Sequence, residues 1–224
     1  MTKNSIMQHI LTGKPAYYKE RGMISEVTII DYTDNIVTFR TSDIPKVDAN
    51  CNLTTTRFHM YENKECKRTS RKFLFLDIDG VMNCSEMWNL PMEQQISDDK
   101  LKLLKKIVDA TDCEIVLSSS WRNIDRHMHI VGRNLAKYGI DLVYKTPYDI
   151  GGNAKRGDEI RSFLSLYSDF DVETRFVILD DDSDMCEFTD KYLIKTNYDV
   201  GLTEQDAEKA IDILNNSEPY KYNF

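Results

Sequence analysis

Two aspartates that directly follow a strongly apolar run are residues whose types and spacing could do chemistry. Asp77 and Asp79 come after residues 73–76, which read Phe-Leu-Phe-Leu, and Gly80 follows them. Four consecutive apolar residues are typical of a strand buried on both faces of a parallel sheet, and glycine permits a sharp turn. Carboxylates at such a place repel each other unless a proton or cation joins them, and Mg²⁺ prefers oxygen ligands. The pattern is compatible with a cation-dependent site or with an ordinary Asp-x-Asp-Gly turn.

Three further segments end or begin with polar residues that complement this acid pair. They are Ser118 and Ser119 after the apolar residues 113–117, Asp180–Asp184 after residues 175–179, and Lys155 and Arg156 at the start of a segment with helical spacing. Phosphoryl transfer through an aspartyl phosphate needs a carboxylate nucleophile, a second acid for the leaving group, and a cation with a basic side chain. A hydroxyl or backbone N–H can hold the remaining phosphoryl oxygen. The combination therefore favours phosphoryl-transfer chemistry.

The elements that must position these residues alternate between strand and helix from residue 73 onward. Alternation of this kind predicts an α/β fold, Rossmann-like, with a mostly parallel sheet and helices on both faces. In an open sheet of that type, chemistry collects at the carboxyl ends of the strands. The predicted strands are residues 73–76, 113–117, 141–144, 175–179 and 192–195, and the predicted helices are 97–108 (capped by Ser97), 123–138, 155–166 and 203–214 (capped by Thr203), with a glycine-containing loop at 146–154.

Residues 73–214 resemble a phosphatase of the haloacid dehalogenase (HAD) superfamily, whose motifs occur in this order. The longer strings resemble the branch found in multidomain RNA-repair proteins. These strings are IVLSSSWR at 115–122, RGDEI at 156–160 and VILDDDSDM at 177–185. A response-regulator receiver has similar chemical parts, but its acidic pair precedes the phosphorylated aspartate, whereas the Asp-x-Asp strand comes first here. The resemblance implies a HAD-like fold with a minimal cap, Mg²⁺ as cofactor and a phosphoric monoester hydrolase activity.

By this resemblance, the acids divide between catalysis and metal binding. Asp77 would attack phosphorus and ligate Mg²⁺. Asp79 would protonate the leaving oxygen and then activate water, while its backbone carbonyl would also ligate the metal. Asp180 and Asp181 would complete the Mg²⁺ site. Because a third acid, Asp182, follows them, the sequence leaves two registers for these ligands.

The same resemblance suggests the residues that hold the phosphoryl group. Ser118 matches the hydroxyl that binds a phosphoryl oxygen, and Ser119 is the alternative if the strand ends one residue later. Arg156 is the first choice for the catalytic basic residue that neutralises the phosphoryl oxygens, and Lys155 is the second choice. Arg122 would contact substrate or, with the tryptophan before it, serve as a core anchor in a structural ion pair.

The first 72 residues differ from the remainder in charge and pattern. They carry 12 Lys and Arg against 8 Asp and Glu, although the whole chain has a net charge of −8. Alternation at residues 24–30, 36–40 and 53–60 predicts a small β-rich module, followed by a basic linker at 64–72. We therefore expect two domains, 1–72 and 73–224. The module's aromatic residues either fill its core or stack bases.

Composition also bears on compartment and substrate. The five cysteines form no Cys-x-x-Cys pair and no apolar run reaches membrane-spanning length, which favours a reducing, cytoplasmic location and no membrane partner. About sixteen residues separate Gly80 from Ser97, too few for an inserted cap domain. An open site favours a phosphate on an RNA or DNA end, as in polynucleotide 3′-phosphatases. A small-molecule (nucleotide) phosphatase and a non-catalytic cation-binding interaction protein remain alternatives, and the oligomeric state is left open.

Overall fold

The structure, a computed structural model, forms two compact units, Met1–Arg68 and Thr69–Phe224. It describes residues 6, 10–20, 23–33, 36–40, 53–56, 60–61, 70–147, 154–167 and 172–221. Most of the predicted basic linker (64–69) and of the predicted glycine-containing loop (148–153) lies outside the described residues. All candidate site residues lie within them.

The N-terminal unit contains an antiparallel sheet with the strand order β4-β3-β2-β1-β5. Its strands are β1 (Ala16–Glu20), β2 (Met23–Thr33), β3 (Ile36–Arg40), β4 (Leu53–Thr56) and β5 (Met60–Tyr61). Alternate residues of β2 and β3 point inward, so that Val27, Ile29, Val37 and Phe39 form a small core. The predicted β-rich module is therefore confirmed, but β1 was missed because residues 16–20 do not alternate between polar and apolar. The last predicted strand, 53–60, is divided into β4 and β5, and residues 57–59 between them are not described.

The second unit is built on a parallel five-stranded sheet with the order β10-β9-β6-β7-β8. Its strands are β6 (Ser70–Leu76), β7 (Glu114–Leu117), β8 (Leu142–Lys145), β9 (Glu173–Asp180) and β10 (Leu193–Lys195). The apolar run occupies β6 at the centre, flanked by β9 and β7. Strand β6 begins at Ser70, so residues 70–72 belong to the sheet and not to a linker as predicted.

Helices cover both faces of this sheet, as predicted. They are α1 (Asp98–Thr111), α2 (Asp125–Lys137), α3 (Arg156–Tyr167), α4 (Thr189–Tyr192) and α5 (Glu204–Asn216). Because successive residues of a strand point to opposite faces, β6 contributes to two cores. Leu74 and Leu76 pack with α1, α2 and α5, whereas Phe73 and Phe75 pack with α3 and the segment around α4.

The helix ends differ in detail from the predicted ones. Thr203 caps α5 in a reciprocal capping box with Asp206, which is the predicted role. Ser97 occupies the N-cap position of α1, but its side chain makes no capping hydrogen bond. The predicted helix 123–138 begins only at Asp125, because the preceding residues Ser120–Asn123 form a 3₁₀ turn that re-aims their side chains. Tyr192 ends α4 and does not begin the last strand as predicted.

The segment after β6 contains no inserted domain. Residues 77–97 are all described, and their helical structure consists of the 3₁₀ turns Ser85–Met87 and Met92–Gln94. The α/β architecture with a minimal cap is therefore confirmed. Within the described part of the chain, no helix has the length and apolar character needed to cross a membrane.

Candidate active site

Three neighbouring strands bring the predicted residues to one edge of the sheet. Leu76 is paired in register with Leu179 of β9 and Leu117 of β7, so the residues that follow lie side by side. The Asp77 N–H donates to the Leu179 carbonyl at 3.0 Å, and the Ser118 N–H donates to the Leu76 carbonyl at 2.8 Å. The backbone of the two strand ends is thus tied directly to β6.

An acidic cluster lies at this edge. Carboxylate oxygens of Asp77, Asp180 and Asp181 all lie within 4.8 Å of one another. Asp77 and Asp180 are buried, and Asp181 is half-buried. Gly80, at φ +65°, passes directly over Asp181, because a Cβ there would lie 2.5 Å from the Asp181 Cγ. Glycine is therefore required at position 80 both for its conformation and for the space that the carboxylate occupies.

The environment of the cluster disfavours negative charge. Burial raises the pKa of Asp77 to about 8, the Asp180 carboxylate adds to the effect, and the Arg156 guanidinium and a hydrogen bond from Ser119 oppose it. Burial likewise raises the pKa of Asp180 to about 6, against the backbone N–H of Asp182 and Arg156. The pKa of Asp181 is raised chiefly by burial as well. Three carboxylates in this environment need a cation before all can ionise.

The basic residue at this edge is Arg156, the first residue of α3. Its guanidinium lies 3.9 Å from Asp77 Oδ1 and 3.7 Å from Asp180 Oδ2. Both separations exceed hydrogen-bond range, so the group neutralises charge without being fixed to either carboxylate. Lys155, the alternative, is exposed, and its backbone N–H donates to Asp158 at 3.2 Å. The geometry favours Arg156 over Lys155 as the residue facing the acids.

A buried ion pair lies behind Arg156. Arg122 Nη2 donates to Glu159 Oε2 at 2.6 Å, and Arg122 Nη1 donates to the Ser119 carbonyl, also at 2.6 Å. Glu159 also lies 3.8 Å from the Arg156 guanidinium. Arg122 therefore acts on the site indirectly, through its hydrogen bonds to Glu159 and to the Ser119 carbonyl. Glu159 was not predicted, although its position three residues after Arg156 places both on one face of a helix.

The two candidate hydroxyls have different surroundings. The Ser119 hydroxyl lowers the pKa of the Asp77 carboxyl, and its oxygen accepts the Trp121 N–H at 3.3 Å. The Ser118 hydroxyl is fully buried, and within the described residues it has no hydrogen-bond partner. Ser119, the alternative in the sequence analysis, is therefore the hydroxyl that acts on the charge of Asp77.

Asp79 is oriented by two donors from different elements. Trp121 Nε1 donates to its Oδ2 at 3.0 Å, and Asn83 Nδ2 donates to its Oδ1, also at 3.0 Å. Asn83 is itself held, because its Oδ1 accepts the Gly80 N–H at 2.9 Å. The Asp79 side chain is not part of the three-acid cluster. Asn83 was not predicted, and its only sequence signal is its place four residues after Asp79 in the same loop.

The remaining acids of the 180–184 segment serve the local backbone. Asp182 is exposed, and its Oδ1 accepts the Ser183 N–H at 2.7 Å. Asp184 Oδ2 accepts the Arg156 N–H at 3.1 Å, and its carbonyl accepts the Gly157 N–H at 3.2 Å, which satisfies the first turn of α3. Of the two registers left open by the sequence, the cluster geometry therefore favours Asp180 with Asp181.

The donor set fits a hard divalent cation. It consists of oxygen atoms alone, and Asp180 Oδ2 is buried with no hydrogen-bond partner among the described residues. A buried acceptor without a donor is costly, and a cation would satisfy it. Asp77, Asp180 and Asp181 are the side chains that would hold the ion.

An Asp-x-Asp pair after the central strand, with a cluster of acids at the end of β9 and an arginine at the start of α3, is the arrangement expected of a HAD-superfamily phosphatase. The sequence model of the family described as "HAD domain in Swiss Army Knife RNA repair proteins" matches residues 73–207, more than half of the chain, and the chain belongs to this family. The predicted resemblance is thereby confirmed, and the membership supports a phosphatase of this superfamily. No curated protein and no solved structure matches the chain.

Proposed function

We propose that the protein is a Mg²⁺-dependent phosphatase that works through an aspartyl phosphate on Asp77 and removes a terminal phosphate from a nucleic acid. The observation that supports this most directly is the convergence of Asp77, Asp180, Asp181 and Arg156 at one strand edge. Bound Mg²⁺ would neutralise the carboxylates and the phosphoryl oxygens.

In the first step, an Asp77 carboxylate oxygen attacks phosphorus and the bond from phosphorus to the leaving oxygen breaks. Asp79, oriented by Trp121 and Asn83, gives its proton to the leaving oxygen. Arg156 can contact the phosphoryl oxygens, because its distances to Asp77 and Asp180 leave its donors uncommitted to those acids.

In the second step, Asp79 takes a proton from water, and the water oxygen attacks phosphorus. The bond between phosphorus and the Asp77 oxygen breaks, which releases inorganic phosphate and restores the carboxylate. The Ser119 hydroxyl, which lowers the pKa of Asp77, or the buried hydroxyl of Ser118 beside it would hold the remaining phosphoryl oxygen. Lys155 directly precedes Arg156 and is exposed.

Three observations support a large substrate. Residues 77–97 form no cap domain, so the catalytic edge is not enclosed by that segment. The description of the matched family names RNA repair proteins, and the first 72 residues carry more basic than acidic side chains. Both are compatible with an RNA or DNA end, and the basic surplus predicts binding that weakens as salt is raised.

The test is phosphate release from a panel of esters with Mg²⁺ and with a chelator. The panel contains 3′-phosphorylated and 5′-phosphorylated RNA and DNA oligonucleotides, mononucleotides and sugar phosphates. Asp77→Asn should abolish turnover and the acid-trapped covalent phosphate, whereas the control Asp182→Asn changes an exposed neighbouring acid and should keep both. Efficient turnover of nucleotides or sugar phosphates, with none of oligonucleotides, would overturn the nucleic-acid assignment. Unchanged biological activity in Asp77→Asn would instead support a non-catalytic cation-binding protein.

A further inference from the structure

Two exposed aromatic side chains form a pair on the surface of the second unit. Trp88 and Tyr198 are 46% and 41% exposed, and their ring centroids lie 5.1 Å apart with an interplanar angle of 54°. Trp121, the other tryptophan of the chain, is buried. Leu90 and Val200, each two residues further along the chain, are exposed as well. Two exposed aromatic rings in contact are more typical of a binding surface than of scattered apolar residues on a protein exterior.

The pair lies beside the catalytic edge. Trp88 belongs to the segment that follows Gly80, and Tyr198 belongs to the turn that follows β10. Tyr198 follows two residues after Thr196, whose hydroxyl donates to the carbonyl of Gly80, the residue directly after Asp79. A group that rests on these rings would therefore be adjacent to a phosphate held at Asp77.

Hydrogen bonds fix the segment of Tyr198 to the loop that carries the proposed catalytic acids. Thr196 Oγ1 donates to the Gly80 carbonyl at 2.7 Å, and the Leu202 N–H donates to the Val81 carbonyl at 2.8 Å. Gly201 lies so close to this loop that a Cβ on it would be 2.7 Å from the Asn83 carbonyl oxygen. The backbone that carries Tyr198 is thus held in place before any ligand arrives, which lowers the entropic cost of binding.

The backbone of the Trp88 segment is also held by hydrogen bonds, which come from a residue further along the chain. Gln95 Nε2 donates to the Leu90 carbonyl at 2.9 Å and to the Trp88 carbonyl at 3.3 Å. The backbone at both ends of the aromatic pair is therefore hydrogen-bonded, and the side chains project from an ordered surface.

The charges around the pair restrict what can bind there. Asp79, Asp181 and Asp199 all act on Tyr198, so a second phosphate placed on the rings would be repelled. A flat, uncharged group avoids this repulsion and gains area against both rings. Base stacking on aromatic side chains is the common means by which proteins hold unpaired nucleic-acid ends, and it tolerates any sequence.

We propose that Trp88 and Tyr198 form a stacking site for the nucleobase adjacent to the terminal phosphate of a single-stranded nucleic-acid end. This inference rests on the proposed phosphatase function and adds to it the residues that position the substrate. It also explains how a site without a cap domain retains specificity, since the base is recognised on an open surface beside the acids.

The test compares the Michaelis constants of variants on three substrates. These are a 3′-phosphorylated oligonucleotide, the same oligonucleotide with a tetrahydrofuran residue in place of the terminal nucleoside, and acetyl phosphate, which has no ring to stack. Trp88→Ala and Tyr198→Ala should each raise KM for the first substrate about ten-fold or more, and Trp88→Phe should retain most of the affinity. Turnover of acetyl phosphate should be unchanged in all three. Leu166→Ala, which removes a 73% exposed apolar side chain from the last turn of α3, is the matched control.

A binding measurement keeps the inference testable whether or not turnover is detected. Oligonucleotide added to Asp77→Asn should quench tryptophan fluorescence, and the double variant with Trp88→Phe should lose the quenching. Equal KM for the normal and the base-free ends, no effect of Trp88→Ala on KM, or quenching retained in the double variant with Trp88→Phe, would overturn the stacking site while leaving the phosphatase intact. If no substrate of the panel is hydrolysed, the proposed function fails by itself. Equal turnover of a 3′-mononucleotide would retain the stacking site and overturn the preference for a nucleic acid.

Discussion

Replacement of Asp181 by asparagine should change metal-free and metal-bound stability in opposite directions. Oxygens of the three clustered carboxylates lie within 4.8 Å of one another, which at an effective dielectric constant of about 20 corresponds to a repulsion of about 3.5 kcal/mol per ionised pair. Because Asp181 is half-buried, solvent screening reduces the value to about 1 kcal/mol. Asp181→Asn should therefore raise the metal-free Tm by about 2–4 °C for a unit of this size.

Added Mg²⁺ should stabilise the wild-type protein far more than the variant. At about 100 times its Kd, a ligand that binds only the folded state stabilises it by about 2.7 kcal/mol. If loss of one carboxylate weakens Mg²⁺ binding about 10- to 100-fold, the Mg²⁺-induced rise in Tm should fall by about 3–10 °C.

The assay is thermal unfolding in a chelator and in a series of Mg²⁺ concentrations. Asp182→Asn is the matched control, because it removes the same charge from the next residue, whose carboxylate is exposed and bonded to Ser183. The control should keep the wild-type response to Mg²⁺. Equal loss of Mg²⁺ stabilisation in both variants, or a metal-free Tm that falls in Asp181→Asn, would refute the assignment of Asp181 to the cation site.

Three further predictions concern the groups around this cluster. Trp121→Phe removes a hydrogen bond to the Asp79 carboxylate, and such a bond is worth about 1.5–3 kcal/mol. The kcat should therefore fall about 10- to 100-fold with little change in KM. A kcat equal to that of the wild type would show that Trp121 does not position Asp79. Glu159→Gln removes the negative charge that faces the buried Arg122 guanidinium. It should lower the free energy of unfolding of the unit by about 3–5 kcal/mol, measured in urea. A decrease below about 1 kcal/mol would contradict the burial of this pair. Because the pKa of Asp77 in the folded, metal-free protein is raised to about 8, its protonated form stabilises the fold at low pH and this contribution is lost as the pH rises. The Tm of Asp77→Asn relative to wild type should therefore increase between about pH 4 and pH 8 in a chelator, and a constant difference would argue against the raised value.

Strand ends that follow apolar runs were predictable from the sequence. The transition from Leu76 to Asp77 marks the end of β6, and the transition from Leu179 to Asp180 marks the last residue of β9. Since parallel strands end at the same edge, sequence alone could place these acids together. The match between Leu76 and Leu179 in the register of β6 and β9 bears out this physical argument.

The side chains that orient Asp79 and face the acid cluster could not be predicted in the same way. Trp121 reaches Asp79 because the 3₁₀ turn after β7 aims its indole toward the neighbouring strand end, and no periodic pattern signals such a turn. The choice between Lys155 and Arg156 depends on the rotation of α3, which the hydrogen bonds from its first N–H groups to Asp184 determine. Strand β1 was missed because its stability comes from pairing with β2 and β5, not from its own pattern.

The shared contact at Glu159 explains why Arg156 is available to a substrate. Arg122 approaches Glu159 to 2.6 Å, whereas Arg156 remains 3.8 Å from the same carboxylate and 3.9 Å from Asp77. Because Arg122 already neutralises Glu159, the attraction between Glu159 and Arg156 is reduced, and the Arg156 guanidinium is held near the acids without a short bond to any of them. A phosphoryl group that enters the site therefore gains an arginine contact without first breaking a strong ion pair. Loss of Arg122 would remove this balance, since an uncompensated Glu159 would attract Arg156 away from the strand edge.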